Sequence, residues 1–523
     1  MSMTKSSNTP MTFDRADLGL ALLLGAAALA VYVRTLAQGV LPSDSGEFQV
    51  LGYLVANAHN PGYWIYLLMA KVLTFLPVGD VAYRVSLFSA VMAAMTVACT
   101  YLAGKLLGGS RWAGALAGLA LAVCPVFWSQ SVIAEVYTAG TAFSAGILVL
   151  MLAWERTRRA SLLFWAGLLG GMSPGVHGTV GLLAPAVALL IGLSRPDWRR
   201  IWKPALGGAL LGVALLVGAF LVVDANQAPY NIMNTTYIPA RSNFDTSLAE
   251  LQSPVGRFKF LITNRQWSPA MFQDPGKDTP EKGKDYYEAL PSYFAWPVLG
   301  LMAIGFISLW WGRARIAAFF LLAGLAHHLF VFNYRIGDSY AFYLAWFPFA
   351  CALAAAGLGW LLRMAARYLI GIAVWLRPAL GAGAIVLALL PFAGASLGYL
   401  QQGEALVEGY SFPSNAERAA WYAEISRTVK GLPANAVVYS DWWSLYAYYY
   451  AAYVEQGRTD LWFLEPTPYS IKGGMAKSML EFAVEQAASR PVLSLSPLEP
   501  LRQAGLKQSN LLVGGARLFE YGR

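Results

Sequence analysis

Between Leu18 and Leu400 the chain returns eleven times to a stretch almost free of charge, and this recurrence constrains the fold more than any other feature. An apolar run of about 20 residues matches a helix crossing the roughly 30 Å hydrocarbon layer of a bilayer. There every backbone polar group must be satisfied within the segment itself. The runs lie at 18–36, 82–107, 112–128, 138–154, 161–173, 178–194, 205–223, 294–311, 316–332, 340–362 and 379–400. The pair at 161–173 and 178–194 is short, which predicts tilted, broken or incompletely spanning helices. Of the 523 residues 57% are hydrophobic and 13% charged, about half the charge of a soluble domain. A soluble multidomain enzyme, a disordered chain and a secreted disulfide scaffold are excluded. The expectation is a polytopic α-helical membrane protein with about eleven transmembrane helices.

A net charge of +9 raises the question of nucleic acid. Residues 401–523 carry −1, however, so the excess lies in the apolar part, in short clusters between runs. One set of loops holds Lys105 and Arg111, then Arg156, Arg158 and Arg159, then Arg195, Arg199, Arg200 and Lys203, then Arg313 and Arg315, then Arg363 and Arg367. The alternating loops near 129–137 and 174–177 hold no Lys or Arg. The positive-inside rule puts the first set in the cytoplasm. The N-terminus is then inside and residues 401–523 outside. No basic arm with interleaved aromatics is present, so the bilayer, and no nucleic acid, is the expected partner. Cys99, Cys124 and Cys351 sit in or beside apolar runs and read as core residues. Met1 to Asp17 is polar, and the first run lacks a cleavage site, which predicts an uncleaved helix rather than a signal peptide.

Residues 1–400 thus form a membrane domain, interrupted by two long outer loops at 37–81 and 224–293. Loops of that length in a compact protein usually have a function. Residues 401–523 read as a soluble extracytoplasmic α/β domain. Predicted strands at 436–440, 461–464, 492–495 and within 511–521 alternate with helices at 417–429, 444–454 (Tyr-rich) and 474–488, which suggests a parallel sheet. No Gly-rich phosphate loop follows its first strand.

The sharpest local signal is Leu41-Pro42-Ser43-Asp44-Ser45-Gly46-Glu47-Phe48, just past the outer end of the first run. Asp44 and Glu47 share a face if a helix starts here. One reading is a capping box, with Ser43 or Asp44 capping and Glu47 in the first turn. The other is a general base at the membrane interface, roofed by apolar helices. Twelve residues on comes His59-Asn60-Pro61-Gly62-Tyr63, where His59 could bind phosphate, donate a hydrogen bond, ligate a metal or simply shape a turn. Glu135 (between the third and fourth runs), His177 (at the tip of the short pair) and Asp338 (before the tenth run) map to the same outer side. Ionisable residues flanked by spans point to function. His327 and His328 are adjacent in one helix, face different ways and do not suggest a shared metal. Asn234-Thr235-Thr236 fits an N-glycosylation sequon on an outer loop.

These motifs also carry a resemblance. Asp44-Ser45-Gly46-Glu47, His59-Asn60-Pro61-Gly62-Tyr63 and Arg84 with Ser89-Ala90 resemble a mostly bacterial family, long classed as a domain of unknown function and related to a eukaryotic transmembrane protein O-mannosyltransferase. The family pattern reads D-S-G-E, then A-H-P-P/T-G-Y-P, then R-x-N-L-x-S-A. Glu135-Val136-Tyr137, His177 and the Asp338 segment are similar too. The sequence departs at Asn60 and Trp64, where Pro is usual, and at Ser86, where Asn is usual.

The family resembles the GT-C glycosyltransferases, membrane enzymes that use polyprenyl-phosphate-linked sugars and carry a catalytic carboxylate just after the first helix. The resemblance therefore implies a GT-C-like fold and a hexosyltransferase. Asp44 would be the base, Glu47 would orient it or the acceptor, and Glu135 would shape the acceptor side. Substrate-binding residues would be His59, Tyr63, Arg84, His177, Arg241, Arg265 and Asp338, with His59 and the three arginines on the donor phosphate. No cofactor is assigned. Asp44, Glu47 and Glu135 could hold a divalent ion. The implied partners are a polyprenyl-phosphate-linked sugar, with mannose first, and a protein or glycolipid acceptor. The implied place is the bacterial plasma membrane, or the endoplasmic reticulum in a eukaryote. Non-enzymatic alternatives are a membrane scaffold and a lipid transporter, the latter requiring ionisable residues at midplane depth.

Overall fold

In the computed structural model, which describes residues 13–368, 376–404 and 414–522, each of the eleven apolar runs is largely helical. Seven helices are long and apolar enough to cross a membrane. The number rises to nine if each of two bent pairs counts as one span: Arg111–Ala122 with Pro125–Ser131 (66°) and Pro275–Tyr293 with Trp296–Gly312 (112°). The expected eleven is therefore reduced among the described residues. The helix Ala160–Met172 and the stretch Gly178–Leu193 fall short, because 13 residues rise only about 20 Å. The chain is an integral membrane protein whose short pair is built into the bundle.

The first helix of that pair is held by glycines. Gly167 and Gly171 face Gly208 and Gly212 on the helix Trp198–Asp224. A Cβ at Gly208 would lie 2.0 Å from the Phe164 carbonyl oxygen, and one at Gly171 2.4 Å from that of Ala209. Two small-xxx-small stripes thus let the backbones touch, the packing that association in lipid favours.

Helix α1 (Arg15–Arg34) leads through a short turn into α2 (Ser43–Leu54) and α3 (Trp64–Leu73), before the long span α4 (Val81–Gly108). At the opposite end of the bundle, buried Asp17 pairs with Lys105 at 2.6 Å and Arg111 at 3.0 Å, while Arg313 and Arg315 share Glu155. The second long loop is a run of short helices, including Pro254–Ile262, that ends in the 19-residue helix Pro275–Tyr293.

The C-terminal sheet is mixed rather than all-parallel. Strands β1 (Val437–Tyr439), β2 (Trp462–Leu464), β3 (Val492–Ser494), β4 (Lys507–Val513) and β5 (Ala516–Gly522) lie in the order β2-β1-β3-β5-β4. The first three are parallel, and the last two form an antiparallel hairpin. The single strand expected within 511–521 is this hairpin, turned at Gly514-Gly515, both with positive φ. The Tyr-rich helix Trp442–Tyr449 is the face that docks on the membrane domain. Tyr446 and Tyr449 donate to the Tyr230 and Pro229 carbonyls, and nearby Tyr450 accepts from the Ala82 N–H. Tyrosine suits this place because its ring fills the interface and its hydroxyl satisfies a loop backbone.

Candidate active site

Helix α2 presents the first motif. Its N-cap is Pro42 with no side-chain cap bond, and Ser43 has φ of +56°. The capping-box reading is thereby overturned, since neither Ser43 nor Asp44 caps this helix. Gly46 is required by close approach: a Cβ there would lie 2.4 Å from the Leu41 carbonyl oxygen. Tyr63, opening α3, also has a left-handed backbone (φ +50°). Strained non-glycine residues of this kind concentrate at functional sites.

The two motifs meet through His59. Its backbone N–H donates to Glu47 Oε1 at 2.8 Å, and Nδ1 lies 2.5 Å from Glu47 Oε2. The other ring nitrogen, Nε2, points at Asp44 Oδ2 from 3.8 Å. Burial opposes a charged imidazole here, but Glu47 and Asp44 outweigh it and lift His59 to about 9. At neutral pH the ring is a cation clasped by Glu47, with one edge turned to Asp44. Asp44 Oδ1 accepts from the Trp442 indole N–H at 2.6 Å and from Ser43 Oγ at 3.2 Å.

Asp44 and His59 stand on the wall between two chambers. The wider, about 570 Å³, is lined by Thr236, Tyr237, Gln266, Trp267, Trp442 and Glu465, among others. The narrower, about 240 Å³, is lined by Tyr63, Tyr137, His177, Tyr334 and Asp338, and by the apolar Leu182, Phe330 and Phe342. Among the described lining residues of either chamber there is no Lys or Arg. His177 is the narrow chamber's other histidine. Burial lowers it to about 3 and keeps it neutral, and Nδ1 lies 2.6 Å from Thr179 Oγ1. Asp338 accepts from the Tyr137 hydroxyl and is raised by burial. Glu135 lies behind the wall, fully buried and raised well above the usual range by burial and by Asp44 and Asp338. It accepts from Ser45 Oγ at 3.0 Å.

The structure thus brings Asp44, Glu47, His59, Tyr63, Glu135, His177 and Asp338 together and leaves the three arginines outside. Arg84 donates to the Asp80, Thr74 and Leu76 carbonyls and fastens the turn before α4. Arg241 donates to the Ile238 carbonyl, and Arg265, exposed, to those of Phe244 and Asp245. None lines either chamber. A divalent ion also finds no support in the donor set. Glu47 is turned to His59 and Glu135 to Ser45, and among the described residues no three His, Cys, Asp or Glu are grouped to hold a metal. The sequon is part of the wall. Asn234 donates to the Gln227 and Ala228 carbonyls, and Thr236 is buried against the wide chamber. His327 and His328 bond separate carbonyls, of Phe342 and Gly324.

The residues that depart from the family pattern knit the two long loops together. Asn60 donates to the Phe260 and Leu261 carbonyls, and its N–H to the Tyr237 hydroxyl. Trp64 donates to Asn57 and stacks on Phe258. Asn57 donates to Asp224, which is salt-bridged to Arg257 at 2.6 Å in the interior. Ser86 accepts from Gln49. Each replacement of Pro or Asn here is answered by a partner in this chain.

Trp442 and Glu465 went unread in the sequence. They follow β1 and β2, at the carboxyl ends of neighbouring parallel strands, where open α/β sheets bind ligands. The predicted strands themselves contained that signal.

The seven-to-nine-span bundle, the acidic turn after α1 and the docked C-terminal sheet define the GT-C glycosyltransferase fold. Two solved structures share it. ArnT from Cupriavidus metallidurans bound to undecaprenyl phosphate is 15% identical with a TM-score of 0.58, over 96% of this chain and 98% of that one. The Archaeoglobus fulgidus oligosaccharyltransferase is 13% identical with a TM-score of 0.53, over 91% and 67%. At family level, residues 44–200 match the model of the protein O-mannosyl-transferase TMEM260 N-terminal domain. TMEM260 from Mus musculus is 30% identical over 136 residues, 26% of this chain and 19% of its own. The Dictyostelium discoideum protein is 22% identical over 242 residues, 42% and 30%. The matched segments span less than a third of either relative.

Proposed function

We propose that the protein is a glycosyltransferase that moves mannose from a polyprenyl-phosphate donor to a Ser or Thr hydroxyl of exported protein, with inversion at the anomeric carbon. The observation that carries this reading is the position of Asp44. It is a half-buried carboxylate on the wall shared by two chambers, oriented by Trp442 and faced by a charged His59. The narrow chamber has apolar walls toward the bundle and suits a lipid-linked sugar head. The wide chamber suits the acceptor.

As the acceptor oxygen bonds to the anomeric carbon, its proton passes to Asp44. The bond from that carbon to the phosphate oxygen breaks, and the electron pair leaves with the phosphate. His59 is the cation nearest the reacting centre among the described lining residues and offsets the charge that develops there. Glu47 keeps that ring charged and in place. Glu135, through Ser45, fixes the turn carrying Asp44. Tyr63, His177 and Asp338 shape the donor side. The TMEM260-type N-terminal match and the undecaprenyl phosphate bound to ArnT support both the activity and the donor class. The loop charges support a site on the outer face of a plasma membrane, or the luminal face of the endoplasmic reticulum in a eukaryote, with residues 401–523 on the same side.

The test is transfer in detergent from polyprenyl-phosphate mannose to a mixed pool of exported proteins and lipids, wild type beside Asp44→Asn, with and without EDTA. Loss of a general base predicts a fall of about 10²–10⁴-fold, and the labelled product identifies the acceptor. A folded wild type inert toward several lipid-phosphate sugars sinks the reading and leaves the scaffold or transporter.

A further inference from the structure

We propose that Glu465 reads the acceptor in the wide chamber, where the acidic groups around it select a Ser/Thr segment free of negative charge. This inference rests on the glycosyltransferase reading of the site. Glu465 is the first residue after β2 and is buried. Its backbone N–H donates to the Thr235 carbonyl, which already anchors this turn. Among the described residues its carboxyl meets only the Thr236 hydroxyl, at a long 3.4 Å, and it faces the cavity. The carboxyl is thus not needed for docking and is available to a ligand.

Apart from His59, the charged groups around it are acidic: Glu47 and Asp44 on α2 and Asp441 after β1, with Asp338 further along the same lining. The one cation, His59, is clasped by Glu47 and turned to Asp44. An anionic side chain entering here meets the Asp44 carboxylate, with Glu47 and Asp441 close by, and no Lys or Arg among the described lining residues. Like charges brought together in a water-poor site are strongly disfavoured. A neutral segment meets an aromatic wall instead, where Trp267 stacks on Tyr469 at 4.5 Å. Burial, with the neighbouring carboxylates, lifts Glu465 to about 8. At neutral pH it keeps its proton and donates a hydrogen bond to the acceptor. Above pH 8 it ionises and can only accept.

The experiment uses the full chain in detergent and peptides in which one Thr is flanked by Ala, by Lys or by Glu. Wild type should use the Ala and Lys peptides at least about tenfold better than the Glu peptide in kcat/KM. Its KM for the Ala peptide should rise as the pH passes 8. Glu465→Gln, of the same shape and always neutral, should keep the neutral-pH KM within about threefold and lose the rise. Glu465→Ala should raise KM about tenfold at neutral pH, the loss of one buried hydrogen bond, with no further rise above pH 8. Equal use of Ala and Glu peptides, or a pH dependence unchanged in Glu465→Gln, overturns the proposal. If wild type glycosylates no peptide, the activity reading has failed. The same peptides are then titrated against tryptophan fluorescence, since Trp267 and Trp442 line the chamber. Tighter binding of the Ala peptide supports the selectivity, and equal or absent binding overturns it.

Discussion

Replacing Trp442 by Phe removes one N–H from the site and keeps an aromatic ring in its place. That N–H donates to Asp44 Oδ1 at 2.6 Å, and it leaves Oδ2 as the oxygen turned toward His59 and the shared wall. A hydrogen bond to a charged group contributes about 1.5–3 kcal/mol. The Asp44 side chain is 30% exposed, so water takes up part of the lost bond and the lower half of that range applies. If the bond orients the base, about 1.5–2 kcal/mol appears in the barrier, roughly a 10- to 30-fold fall in kcat. KM for donor and acceptor should stay within about twofold, because the indole N–H is spent on Asp44 rather than on substrate. The assay is initial-rate transfer with each substrate varied in turn, on protein checked by size exclusion and thermal melting. A kcat within twofold of wild type refutes the argument, and so does a loss confined to KM, which would make Trp442 a contact residue.

The clasp between Glu47 and His59 ties stability to pH. His59 titrates near 9 in the fold, against about 6.5 in the unfolded chain, so its contribution is complete below pH 6.5 and fades as pH rises through 9. Melting followed from pH 6 to 9.5 should show that decline, smaller in Glu47→Gln, and a flat profile in wild type contradicts it. Arg257→Ala leaves Asp224 buried without its partner and should cost about 3–5 kcal/mol in chemical denaturation, whereas the exposed Arg265→Gln should change stability by under about 0.5 kcal/mol. Arg265→Gln should also leave donor KM unchanged, because the guanidinium lies outside both chambers. A clear rise in donor KM would return it to the site.

Much of the site could be read in the sequence because its core is local. Asp44, Glu47 and His59 lie within sixteen residues of one another, and two turns suffice to bring them together. The arginines stand outside the chambers for a physical reason. A guanidinium near a site reads as a phosphate ligand, yet in a loop-rich region it is equally apt to hold carbonyls that no helix satisfies, as Arg84 does for the turn at 74–80. The short pair, whose length already predicted incomplete spanning, accounts for the difference between eleven apolar runs and nine spans, and its first helix leans on a neighbour. The Gly167/Gly171 and Gly208/Gly212 stripes were the legible sign of that leaning.

The sequence by itself determined the membrane architecture, the acidic turn after the first span and the presence of a C-terminal sheet. Apolar length, hydrophobic pattern and turn residues act over short separations, so they are written consecutively in the chain. Only the tertiary structure decided that Trp442 lies against Asp44, 398 residues away, that Glu465 faces the same chamber, and that Asn60 and Trp64 join two loops nearly 200 residues apart. The first two depend on how the C-terminal sheet docks through its tyrosine helix. Docking is set by the shape and hydrogen-bonding complementarity of two surfaces, and that complementarity has no period or spacing along the chain.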